Sequence, residues 1–243
     1  MMILFSEKNR SQQGLSLVEL MIAMTIGLMV LAGVMRIFQN QRANHQLQQG
    51  MEQVQESGRF LLDFIGSDLR MAGYPRDSTL FTTAITGTEG GDADTSDTVT
   101  IQYESTTNCG GDPTGGPTTQ NQYLIQTNAA GNPELQCIGT VAGGSQTYGL
   151  VEFSERMQVL YGEDTDAIED GAVNLFRTAD NVVDWQRVGA VRIAWLVNNG
   201  QYVGGSDSRT YRLLNERPIG PFTDGALRRV FSTTIVLRNR IPY

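Results

Sequence analysis

Between Leu15 and Met35 the chain carries a single charge, Glu19, in an otherwise apolar run of 21 residues. Coiled as a helix, such a run is ~31 Å long, enough to cross the hydrocarbon core of a bilayer. A short polar stretch with Glu7, Lys8 and Arg10 precedes it, and Arg36 closes it. A cleaved secretory signal fits poorly, because no A-x-A-like site follows and the run is long for a signal core. A plain membrane anchor leaves Glu19 unexplained. A carboxylate inside a span costs on the order of 2.5–3.5 kcal/mol and by default implies a partner. Lys8 and Arg10 on one side nearly balance Arg36 and Arg42 on the other, so charge alone leaves the orientation open.

The rest of the composition narrows the chemistry. The 243 residues have a net charge of −8, which disfavours a broad basic surface for nucleic acid. His45 is the only histidine, which excludes a multi-histidine metal centre. Cys109 and Cys137 are too few for a four-cysteine zinc site. Lys8 is the only lysine, so the body of the protein has no Schiff-base candidate. No nucleophile–base–acid constellation is visible, and the expectation is a non-enzymatic protein without a cofactor.

Apolar residues continue at helical spacing beyond Arg36, at Leu47, Met51, Val54, Leu61, Ile65 and Leu69. The first proline after the run is Pro75. The pattern predicts one helix from Leu15 to Met71, ~85 Å if straight, stopped by Gly73 and Pro75. Its first half is apolar all round and its second half amphipathic. Gly27, Gly33, Gly50 and Gly58 are each expected to weaken it by up to about 1 kcal/mol. His45 falls on the polar, glutamine-rich face.

After Tyr74 the pattern turns to strands and loops. Strands are expected at Thr98–Tyr103, Gln122–Gln126, Glu134–Ile138, Arg156–Tyr161, Val188–Val197, Thr210–Leu214 and Val230–Leu237. Val191, Ile193, Trp195 and Val197 should share one buried face. A short helical stretch is expected at Ala179–Trp185. With so few helices between strands, the sheet should be antiparallel and cover the apolar stripe of the long helix. The longest expected loops are Thr86–Asp97 and Thr106–Asn121.

The segment Gln13-Gly14-Leu15-Ser16-Leu17-Val18-Glu19-Leu20 resembles the processing signal of type IV pilins and type II secretion pseudopilins. The resemblance implies cleavage between Gly14 and Leu15 by a membrane aspartyl prepilin peptidase, and N-methylation of Leu15. Leu15 departs from the phenylalanine usual at that position. Glu19 becomes the fifth residue of the processed chain, where its carboxylate can pair with a methylated amine and set subunit register, as a buried polar residue does in a coiled coil. Leu15–Tyr74, Val159–Asp166, Ala179–Ile193 and Val230–Arg240 resemble minor pilins of the PilW type. No such likeness covers Ser78–Gly149.

This implies an α+β, pilin-like fold: leader 1–14, transmembrane and filament-core half-helix 15–35, amphipathic half-helix 36–72, and a periplasmic β-rich domain 73–243. The implied role is a minor pilin that primes or caps the type IV pilus and supports adhesion and twitching motility. Its implied partners are other minor pilins, the major pilin, the prepilin peptidase, the inner-membrane assembly platform and a pilus-tip adhesin. The implied location is the inner membrane, then the surface pilus, of a Gram-negative bacterium. A J-type pseudopilin of a type II secretion system is the alternative, and a pilin-anchored DNA-uptake receptor a lower one.

In an exported domain Cys109 and Cys137 are expected to form a disulfide. The acidic loop Glu163–Gly171 invites a calcium reading through Asp164, Asp166, Glu169 and Asp170. It meets the EF-hand template only at its first two acidic positions. Glu152–Asp184 holds nine acidic residues and two arginines, whereas Ser206–Tyr243 holds seven arginines and three acidic residues. The expectation is two opposite surface patches, with Arg228 and Arg229 facing a partner subunit.

Overall fold

The computed structural model describes residues 14, 16–75, 79–90, 95–166, 168, 170–202 and 208–239, with only the backbone of Tyr202. Helix α1 runs Leu17–Met71 and contributes to two compact units that divide between Gln46 and Leu47. In the first unit every described residue is exposed, and the apolar segment has a mean hydropathy of 2.3, long and apolar enough to cross a membrane.

The second unit begins with the amphipathic half of α1. Its buried stripe is Gly50, Val54, Gly58, Leu61, Ile65, Gly66 and Leu69. Met51, expected on that stripe, is exposed instead. Two of its three glycines, Gly58 and Gly66, lie beside the strand Ala226–Val236. A Cβ added at Gly58 would lie 2.2 Å from the Phe231 ring, so this glycine permits a close approach rather than merely weakening the helix. At Gly66 the same addition would meet only ordinary contacts. Gly73, with φ +80°, ends the helix, and its N–H donates to the Gln102 carbonyl at 2.9 Å. Asn239 donates to the Arg70 carbonyl at 3.0 Å and so covers the same helix end.

Five strands form an antiparallel meander in chain order: β1 (Ile85–Thr88), β2 (Thr98–Glu104), β3 (Thr118–Thr127), β4 (Pro133–Val141) and β5 (Gly144–Glu152). Phe153, at φ +59°, turns the chain into the second sheet. That sheet contains β6 (Ser154–Glu163), β7 (Leu175–Arg177), β8 (Val188–Tyr202) and β11 (Ala226–Val236), in the order β11-β8-β6-β7. Strands β9 (Arg209–Tyr211) and β10 (Ile219–Phe222) form a separate two-stranded ribbon.

Strand β8 explains why its sequence is apolar on both faces. Val191, Ile193, Trp195 and Val197 enter the main core with Leu61, Ile65 and Leu69 of α1 and Val99, Ile101 and Tyr123 of the first sheet. Ala194 and Leu196 point the other way, into a small core completed by Leu213 and the ribbon. The expected strand Thr210–Leu214 shrinks to β9, because Leu213 is needed in that small core. The helical stretch at Ala179–Trp185 resolves into two 3₁₀ turns, Ala179–Asn181 and Trp185–Arg187.

Candidate assembly site

Leu20 N–H donates to the Ser16 carbonyl at 3.1 Å, which fixes the first turn of α1 around Glu19. An acidic side chain suits a helix N-terminus. Glu19 is exposed among exposed Leu17, Val18, Leu20, Met21 and Ile22, and nothing pairs with it among the described residues. Gly14 is exposed, with nothing within 4 Å of the position a Cβ would take. Leu15, the expected methylation position, lies outside the described residues, as does the leader before Gly14. The chemistry at this end is a solitary carboxylate on an apolar surface, a pattern suited to pairing with a cation from another chain.

At the far end of α1 a polar network ties the helix to the first sheet. Asp68 Oδ1 accepts from the Tyr103 hydroxyl at 2.5 Å, and Oδ2 accepts from Asn121 Nδ2 at 2.8 Å and from the Tyr123 hydroxyl. The register of β2 and β3, with Ile101 opposite Asn121 and Val99 opposite Tyr123, puts these donors on one inner face. Burial, and then the Asp68 charge, push both tyrosine hydroxyls above their ordinary range. Asn121 Oδ1 in turn accepts from Cys109 N–H at 3.1 Å. The sequence hint for this network was an acid beside the buried stripe, between Ile65 and Leu69, but its three partners are distant in sequence.

The Cys109–Cys137 disulfide is present and pins the β2–β3 loop to β4. Within that loop, buried Asn108 donates to the Thr140 carbonyl at 2.9 Å and to the Tyr148 hydroxyl at 3.0 Å, and Tyr148 donates to Asp112 at 2.6 Å.

The acidic and the arginine-rich segments are neighbours in the second sheet, where strand β8 lies between β6 and β11 and is flanked by both. Arg228 is a correction to the sequence reading. Its side chain is 4% exposed, bridges Glu155 at 2.7 Å and Asp224 at 2.5 Å, and lies 3.8 Å above the Phe222 ring. It joins β6, β11 and the ribbon and has no surface left for a partner. The Arg228 hydrogen bond holds the Asp224 carboxyl down to about 2. Arg229 is exposed and donates to Gln55 Oε1 of α1 at 2.6 Å. Arg156 and Glu216 pair in the opposite sense at 3.6 Å.

The acidic loop also uses its charges internally. Asp164 is buried, pairs with Arg187 at 3.2 Å and accepts from Gly171 N–H at 2.9 Å. Asp166 accepts from Ile168 N–H and Asn174 Nδ2, and Asp170 from Ala172 N–H. Glu169 lies outside the described residues. No group of three metal-ligating side chains occurs among the described residues, so the geometry gives the calcium reading no ligand set.

Comparison with known proteins fits this layout. The family described as Type IV Pilus-assembly protein W matches residues 122–239, and the prokaryotic N-terminal methylation motif matches residues 9–35. The type IV-like pilin TTHA1219 from Thermus thermophilus shares the fold, with a TM-score of 0.53 at 15% identity, covering 77% of this chain and 96% of that one. The GspK-GspI-GspJ complex of the enterotoxigenic Escherichia coli Type 2 Secretion System gives a TM-score of 0.38 at 12% identity, covering 76% of this chain and 97% of that one. No curated protein matches in sequence. The chain thus carries a prokaryotic N-terminal methylation motif that runs into an exposed apolar helix, and a PilW domain over residues 122–239 within a pilin-like fold.

Proposed function

We propose that the chain assembles with other minor pilins to prime or cap the type IV pilus. The observation that carries this reading is Glu19, a lone carboxylate in an apolar helix, within the residues that match the methylation motif. A helix of this kind rests in the membrane until its charge and apolar surface are taken up by parallel helices of other subunits. In this reading the prepilin peptidase cuts before Leu15, and the new methylated amine, or a neighbour's, meets Glu19. The platform then extracts the subunit from the inner membrane, with its globular domain in the periplasm, into a filament shared with the major pilin. The work is done by shape and contact, without an enzymatic step; adhesion, presentation of a tip adhesin and twitching follow from the assembled filament.

The test is gene deletion, scored for surface pili and for secreted exoproteins. Loss of pili with intact secretion supports the proposal. Loss of secretion with intact pili overturns it in favour of a secretion pseudopilin. Complementation with Glu19→Ala should leave the protein in the membrane and pilus number at least tenfold low. Mass spectrometry of the mature N-terminus should find N-methyl-Leu15.

A further inference from the structure

The first sheet turns one face to the core and the other outward. Its outward positions on β2 are Thr98, Thr100, Gln102 and Glu104, the last three opposite Gln122, Gln120 and Thr118 of β3. A cleft of about 610 Å³ lies over this face. Thr100, Gln102, Gln120 and Thr140 form its floor, and the segment carrying Leu80 and Phe81 forms its wall. Gln102 Nε2 donates to Gln120 Oε1 at 2.7 Å, and Thr140 Oγ1 accepts from Gln120 N–H at 3.1 Å, so the floor is ordered before any ligand arrives.

None of the eleven lining residues is ionisable, although 18% of the chain is charged. Among the described residues, the lining therefore offers an ionic ligand no countercharge. A protein partner would favour a core of several aromatic, methionine and arginine side chains, and of these the eleven lining residues include one, Phe81. Threonine hydroxyls and glutamine amides offer donors and acceptors together. A sugar ring presents the matching surface: hydroxyls that both donate and accept, and a C–H face suited to Phe81 and Leu80. The cleft falls within the roughly 300–1,000 Å³ typical of small-ligand sites. We propose that this cleft binds a neutral oligosaccharide, giving the subunit a recognition site separate from its assembly helix.

The test uses full-length protein in detergent with its disulfide intact, titrated calorimetrically with maltotetraose, cellotetraose and chitotetraose, and with a heparin-derived tetrasaccharide as the charged comparison. At least one neutral tetrasaccharide should bind saturably. Gln102→Ala combined with Gln120→Ala should weaken it tenfold or more with the melting temperature retained, and the heparin fragment should not bind. Phe81 also packs on the core, so Phe81→Ala is read only alongside its melting temperature, and a folded variant should again bind at least tenfold more weakly. Absence of binding by all three neutral sugars overturns the proposal. So does binding that survives the glutamine double variant, or equal binding of the heparin fragment. Cross-linking of this face to another pilin in assembled pili, without sugar binding, assigns it to packing and overturns it as well.

Discussion

Gly58 shows how a residue-level rule inverts with context. In an isolated helix Gly→Ala gains up to about 1 kcal/mol. Here the added methyl would enter the Phe231 ring, and overpacking costs roughly 1–3 kcal/mol. Gly58→Ala should therefore destabilise the globular unit by about 1–2 kcal/mol in denaturant unfolding. Gly33→Ala, with nothing within 4 Å, should leave that transition within about 0.5 kcal/mol. Asp68 is the opposite case, a polar residue whose removal strands buried partners. Asp68→Ala leaves Tyr103, Asn121 and Tyr123 without their shared acceptor and should cost about 3 kcal/mol or more. Asp68→Asn should cost less, since one acceptor oxygen remains. Combining Asp68→Ala with Tyr103→Phe should cost less than the sum of the two single changes; strict additivity would show that the network does not act as a unit.

At the scale of elements, what could be read in advance followed periodicity. The 3.6-residue stripe at Val54, Leu61, Ile65 and Leu69, the alternation in β2 and the continuous apolar run in β8 are direct records of burial, and both the long helix and these strands stand where the pattern put them. Strand β5 left no such record. Most of its residues are exposed at a sheet edge, and its register slips against β4 near Leu135 and Gln136, so alternation fails. Arg228 was misread for a related reason: a charge reads as surface until its partners are known, and Glu155 lies 73 residues away. The cysteines depended on compartment rather than pattern. Their bridge spans a sequence separation of 28, and closing a loop of that size is worth roughly 3–4 kcal/mol through the unfolded chain. Replacing both cysteines by alanine should lower the melting temperature by about 10 °C, at roughly 2–4 °C per kcal/mol for a domain of this size. Reduction of the wild type should reproduce the shift, and the double variant should not respond to reductant.

For the molecule as a whole, the distinctive stability term is acidic. Glu89 is pushed up to about 7 from an ordinary 4.5, first by burial and then by the negative charges of Asp97, Asp180 and Glu216. Asp97 is raised by burial, although Val159 and Gly90 N–H groups donate to it at 2.8 Å. Glu216 is raised by burial too, partly offset by Arg156. These groups join the end of β1, the start of β2, strand β6, the first 3₁₀ turn and the turn before β10, so their protonation touches both sheets at once. Between about 4.5 and about 7 the folded chain keeps a proton on Glu89 that the unfolded chain has released. The unfolded state then binds fewer protons, and the linkage relation makes stability fall as pH rises through that window. The contribution is full below the unfolded value and is lost as pH passes the folded one. The net charge of −8 adds repulsion in the same direction, so the comparison must be made between variants. Glu89→Gln keeps the shape and removes the titration. Melting temperatures of wild type and Glu89→Gln should differ least near pH 4.5 and separate steadily towards pH 7.5, with the variant the more stable. A difference that stays constant across that range would show that Glu89 does not carry the acid-side stability.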